Sequence, residues 1–98
     1  MAEFHFPEIK INHDSPLAQV AKVLEEAGEC LQEILEHQKN PTLNAPVERM
    51  CEEAWDTLQS SESLVRLLRR MFPAHMACAK FGVIQKCRDR GYYAEQVS

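Results

Sequence analysis

Proline sets the outer limits of what this chain can build. A proline has no backbone N–H and its ring collides with the preceding helical turn, so a helix starts at one but does not run through it. The residue before a proline is also pushed out of the α region. Pro7, Pro16, Pro41, Pro46 and Pro73 therefore cut the 98 residues into short permitted intervals. Ser15-Pro16 supplies an N-cap hydroxyl and a first helical residue. From there Leu17, Val20, Leu24, Ala27, Leu31, Ile34 and Leu35 recur at helical spacing. This predicts a helix from residue 16 to about residues 37–39, ended by Asn40-Pro41. A second helix is expected from Pro46, with Val47, Met50, Cys51, Ala54, Leu58, Ser61, Val65 and Leu68 as its stripe, to a stop at Phe72-Pro73. A third is expected from about residue 74 to residue 90, with Gly91 as its C-terminal stop.

Ahead of these helices, Phe4 and Phe6, then Ile9 and Ile11, alternate with polar residues, while Pro7 argues against a central strand. Residues 1–14 read as an extended arm whose apolar side chains pack onto the helical body. Residues 91–98 form a short tail. The expectation is one all-α domain over residues 1–98, with the arm, a helical body at 15–90 and the tail.

Composition narrows the function classes. Hydrophobic residues make up 45% and charged residues 27%, the balance of a soluble globular domain. The formal net charge of −4 and the lack of a long basic stripe argue against a nucleic-acid duplex as partner. Basic residues gather toward the C-terminal half, at Arg66, Arg69, Arg70, Lys80, Lys86, Arg88 and Arg90, where some of them suit a small anionic ligand. No apolar run reaches the roughly 18–20 residues of a membrane span, and the N-terminus has no apolar h-region. Cys30, Cys51, Cys78 and Cys87 form no C-x-x-C pair, so reduced thiols in a cytoplasmic protein are expected. A domain of this size buries only about 60–70% of its unfolded surface, so burying a second face against another subunit would help it.

Two acidic clusters remain to be explained. Glu25-Glu26-Ala27-Gly28-Glu29 lies in the first helix and Glu53-Ala54-Trp55-Asp56 in the second. Acids three apart share a helix face, where like charges repel by a few tenths of a kcal/mol. A divalent cation offsets that repulsion. Mg²⁺ in particular combines carboxylates with waters and substrate phosphates, and facing helices can hold ions between them. The plainer alternative is a solvated acidic face. Both pairs lie off the apolar stripes, and on periodicity alone a solvated face is the commoner outcome. The helical wheel does not by itself make the two pairs converge.

The runs KVLEEAGECLQEIL and EEAWDTLQSSESLVRLL, followed by QKCRDRGYY, resemble the MazG-like, all-α nucleoside triphosphate pyrophosphohydrolases, in particular small phage-type members. The shared pattern is K-x-x-E-E-x-x-E, a spacer, then E-x-x-D, with a K-N-x-x-R-G-Y-Y ending, and it covers about residues 15 to 93. The resemblance implies a helical bundle completed by homo-oligomerisation, as a dimer or a dimer of dimers. It implies Mg²⁺, with Mn²⁺ as a substitute, held by Glu26, Glu29, Glu53 and Asp56. Glu25 becomes the candidate catalytic base, and Lys22, Lys86 and Arg90 candidate contacts to substrate phosphate. The implied reaction cleaves a (d)NTP between its α and β phosphates, giving (d)NMP and pyrophosphate. Cys87 departs from the pattern, standing where similar proteins often carry asparagine. Phosphoribosyl-ATP pyrophosphohydrolase belongs to the same superfamily and is the competing enzyme. A non-catalytic helical dimerisation module that keeps an acidic face is the competing class.

Other residues have ordinary structural readings. Trp55 is expected to pack at a helix or subunit interface rather than to stack a nucleobase. Tyr92 and Tyr93 suit packing or exposure as well as closure over a site. His13 and His37, near the ends of the first helix, read as caps or surface residues. Gly28 costs about 1 kcal/mol relative to alanine within a helix, and a close approach by another helix or by the arm would explain it.

Overall fold

The computed structural model describes residues 5–10, 15–41 and 44–94. Phe4, Ile11 and His13, the connecting residues Thr42 and Leu43, and residues 95–98 of the tail lie outside that range. Among the described residues there are three helices and no strand: α1 Pro16–Lys39, α2 Asn44–Met71 and α3 Pro73–Asp89. The chain divides into two compact units, residues 1–67 and 68–98, with the boundary inside α2.

The helix ends follow local chemistry. The Ser15 hydroxyl accepts the Ala18 N–H at 3.2 Å, and Pro16 occupies the first turn. Such a cap contributes about 1 kcal/mol. α2 begins at Asn44, two residues ahead of Pro46. The first four N–H groups of a helix have no partner within it, so a proline in that turn removes no bond. α3 starts at Pro73, after Phe72 leaves the helical region at φ −137°, ψ 64°. It ends with Gly91 at φ 69°. There the Gly91 N–H reaches the Arg88 carbonyl at 3.0 Å and the Tyr92 N–H reaches the Cys87 carbonyl at 2.9 Å. These are the two bonds of a Schellman closure, in which glycine adopts the left-handed conformation without strain.

In the first unit, α1 and α2 form an antiparallel pair. Gln19 Nε2 donates to the Ser60 carbonyl at 3.1 Å near one end, and Arg49 Nε donates to Glu33 Oε2 at 3.1 Å near the other. The inward face of α1 runs through Gln19, Val23, Glu26, Cys30, Glu33 and His37. On α2 it runs through Val47, Met50, Glu53, Thr57, Ser60, Ser63, Leu64 and Leu67. The seam thus mixes apolar and polar side chains, with its polar part level with Glu26 and Glu53. Ser63 satisfies its hydroxyl on the Gln59 carbonyl at 3.1 Å, and Thr57 does so on that of Glu53 at 2.8 Å.

This corrects the wheel. The expected core stripe of α1 faces outward: Leu17 is 80% exposed, Leu24 67% and Leu31 58%. Glu26, assigned to the solvated side, is 9% exposed. α1 has two faces able to pack, and α2 takes the more polar one. Two smaller expectations change as well. His37 is half-buried on the seam, with Nδ1 closed off and without a hydrogen-bond partner. Gly28 lies outside it, and a Cβ placed there meets nothing within 4 Å, so no close approach among the described residues explains this glycine.

Among the described residues, the arm docks on the body through His5 and Phe6. Phe6 meets the Trp55 ring edge-to-face, with centroids 5.7 Å apart and planes at 75°. The Phe6 N–H donates to Glu62 Oε1 at 2.8 Å, and Arg66 Nη2 donates to the Phe6 carbonyl at 2.6 Å. His5 Nδ1 lies 2.8 Å from Glu62 Oε2. The Phe6 N–H, with help from His5 and Arg66, holds the Glu62 carboxyl below its usual range against the opposing effect of burial. Ile9, expected to pack, is exposed.

Among the described residues Leu67 is the one fully buried apolar side chain. Leu67→Ala should therefore lower the unfolding free energy by about 2–5 kcal/mol, the range for deleting a core leucine. Urea denaturation followed by circular dichroism reads this directly.

Candidate metal centre

The seam places carboxylates from both helices opposite each other. Gln19 pairs with Ser60 and Glu33 with Arg49, so the antiparallel register brings Glu26 level with Glu53 and Asp56. Single carboxylate oxygens of Glu26, Glu53 and Asp56 lie within 4.8 Å of one another. Burial is graded across the trio: Glu26 is buried, Glu53 half-buried and Asp56 exposed. The two clusters thus meet within one chain, without another subunit to turn them inward.

Electrostatics mark Glu53 as the uncompensated member. Its carboxyl is pushed above the usual range, first by burial and then by the charges of Glu29, Asp56 and Glu26. A hydrogen bond with Glu29 adds to the shift, while Glu29 itself is exposed and stands outside the trio. Glu53 Oε2 is closed off from water and has no hydrogen-bond partner.

Within the trio, and among the described residues, Glu26 is the member with a cation beside it. Lys22 Nζ lies 3.0 Å from Glu26 Oε1 and 3.9 Å from Glu25 Oε2. The Glu26 hydrogen bond, then the charges of Glu25 and Glu26, raise the lysine above its ordinary value. Lys22 is therefore engaged with carboxylates.

The donor set fits a hard divalent cation. Mg²⁺ binds oxygen at about 2.0–2.1 Å, which puts opposite ligands at most about 4.2 Å apart. The trio is already close to that span. Exposure at Asp56 leaves one side open for water or a ligand oxygen, and Glu53 Oε2 lacks the very partner a cation would provide.

The remaining site residues fall elsewhere. Glu25 is exposed, beside Lys22 and outside the trio. Lys86 and Arg90 belong to the second unit, where the Arg90 N–H closes the last turn of α3 on the Lys86 carbonyl at 3.1 Å. Cys87 is half-buried and hydrogen-bonded to Tyr93, whose hydroxyl is raised above its ordinary range by burial first and by Cys87 next. Arg66, grouped by sequence with candidate anion contacts, is taken up by Glu62 at 2.9 Å and by Phe6. Sequence reasoning missed this arm clip, although Glu62 and Arg66 stand four apart on the Trp55 side of α2.

Comparison with protein-family models, with curated proteins and with solved structures found no match to this chain. No helix among the described residues is long and apolar enough to cross a membrane.

The raised Glu53 carboxyl has a stability consequence of definite sign. The folded state holds the proton more tightly than the unfolded state, so stability falls as pH rises from the ordinary carboxyl range through the raised folded value. Glu53→Gln should raise the melting temperature of the metal-free protein at neutral pH. The gain should vanish at acid pH, where Glu53 is already protonated. Thermal melts of both proteins across pH check this.

Proposed function

We propose that this chain is a Mg²⁺-dependent nucleotide pyrophosphohydrolase of the MazG-like type, cleaving a (d)NTP between the α and β phosphates and working as a homo-oligomer in the cytoplasm. One observation carries the reading. Acids from two separate helices meet on a shared seam, and one of them keeps a buried, unpartnered oxygen. A merely solvated acidic face would leave Glu26 and Glu53 as open to water as Asp56 is. The order and spacing of the acids and the Lys-x-x-x-Arg-Gly-Tyr-Tyr ending support it further.

In this proposal Glu26, Glu53 and Asp56 hold the ion, and Glu29 completes the set from beside Glu53. A divalent ion bound there supplies charge neutralisation for phosphate and a more acidic bound water. Lys22 is placed at the rim, one turn from Glu26, where an ammonium suits a phosphate oxygen. Glu25 as proton acceptor, and Lys86 and Arg90 as phosphate contacts, rest on the resemblance alone. Homo-oligomerisation is supported by the outward apolar face of α1, where Leu17, Leu24 and Leu31 stand one heptad apart with Ile34 and Leu35 beside them. A second copy is the natural cover for it.

The competing reading is a non-catalytic dimerisation module. It draws on Cys87, whose thiol is engaged with Tyr93 at the position where similar proteins often carry asparagine. Calorimetry with millimolar Mg²⁺ or Mn²⁺ separates the two readings, because the module binds neither.

Pyrophosphate release should be metal-dependent and lost in EDTA across a panel of canonical and modified (d)NTPs that includes phosphoribosyl-ATP. Glu29→Gln and Asp56→Asn should each abolish it while leaving the helical circular dichroism intact. Full activity in both variants would sink the assignment. Leu24→Glu places a charge in the apolar face and should shift the protein toward monomer in light scattering.

A further inference from the structure

The arm contact is built unlike the rest of the molecule. Its hold, among the described residues, centres on two side chains and one stretch of main chain. His5 and Phe6 make every arm contact described above, while residues 7–10 are exposed. The clip reads the main chain of Phe6, because Glu62 takes its N–H and Arg66 supplies its carbonyl partner. Both bonds involve a charged group and are stronger than neutral ones. The ring then selects the residue type by meeting the Trp55 indole edge-to-face, a geometry worth about 0.5–1.5 kcal/mol beyond the area it buries.

The two halves of the contact are pre-organised. Glu62 and Arg66 brace each other at 2.9 Å across one helical turn, so the clip is assembled on α2 itself. On the arm, Pro7 biases Phe6 toward extended backbone, which presents its N–H and carbonyl outward. Main-chain pairing with a pocket for one side chain is how extended peptides are commonly recognised.

We propose that the Trp55–Glu62–Arg66 face of α2 is a binding slot for an extended protein segment carrying an aromatic residue followed by proline. The chain's own residues 5–10 fill it as a displaceable self-ligand. Tethering strengthens the contact, since a short linker gives an effective concentration of about millimolar. A partner segment with the same aromatic–proline core competes once it adds contacts of its own. The seam carboxylates take no part, so the slot stands or falls independently of the hydrolase reading.

The single tryptophan, Trp55, reports on the slot without labelling. In the full-length protein, Phe6→Ala should shift its emission to the red and increase quenching by acrylamide, with helicity unchanged. An acetylated peptide spanning residues 5–10, added at about millimolar concentration to match the lost tether, should reverse both changes. The same peptide with Phe6→Ala, or the original peptide added to the Phe6→Ala/Glu62→Gln protein, should not. Peptide carrying Pro7→Ala should act only at higher concentration. Phe6→Leu, which keeps bulk without the ring, serves as the full-length variant if Phe6→Ala loses helicity. Unchanged Trp55 emission on loss of the ring, or no response to the peptide, overturns the proposal.

Discussion

A charged seam between two helices governs this molecule. Carboxylates are expensive to withdraw from water, yet α1 and α2 face each other across Glu26, Glu53 and Asp56 while leucines of α1 stay outside. Hydrogen bonds at the flanks stabilise the arrangement. Gln19 meets the Ser60 carbonyl and Glu33 meets Arg49, and these pairs fix the antiparallel register. Once the register is set, the central acids have nowhere else to go. Lys22 compensates one of them, and Glu53 is left with a raised carboxyl and an orphaned oxygen.

α2 serves two partners from adjacent sides. Residues 53, 60, 63 and 67 face α1, and residues 55, 62 and 66 receive the arm. The same turn that offers Glu53 and Asp56 to the seam offers Trp55 to Phe6. α1 is divided in another way, with a polar side turned inward and an apolar side left open.

Much of this was legible in the sequence because it is local. Pro16, Pro41 and Pro73 bounded the helices, Ser15 capped the first and Gly91 ended the third, each through the backbone chemistry of a few neighbouring residues, whereas the second helix starts at Asn44, two residues ahead of the expected Pro46. The acid spacing marked the two clusters, though not that they would meet across the seam. Three of the four acids named as metal ligands come together, and Glu29 stays exposed outside the trio while raising the Glu53 carboxyl. The choice of face on α1 was not legible. Periodicity shows that a helix is amphipathic but does not say which side its neighbour in the same chain will take, and a partner outside the chain leaves no separate mark on the pattern. The arm clip escaped for a similar reason, since its ends lie 56 residues apart in the sequence and one of them is main chain.

The solitary position of Leu67 shapes how this chain fluctuates. Most of its helical backbone lies under side chains that water can reach, so local opening uncovers little buried apolar surface there. Opening near Leu67 must break the best-sealed contact in the first unit. Amide exchange with solvent would therefore be graded along α2, slowest in the turns around Leu67 and faster toward Asn44, and the helix would breathe from its N-terminal end.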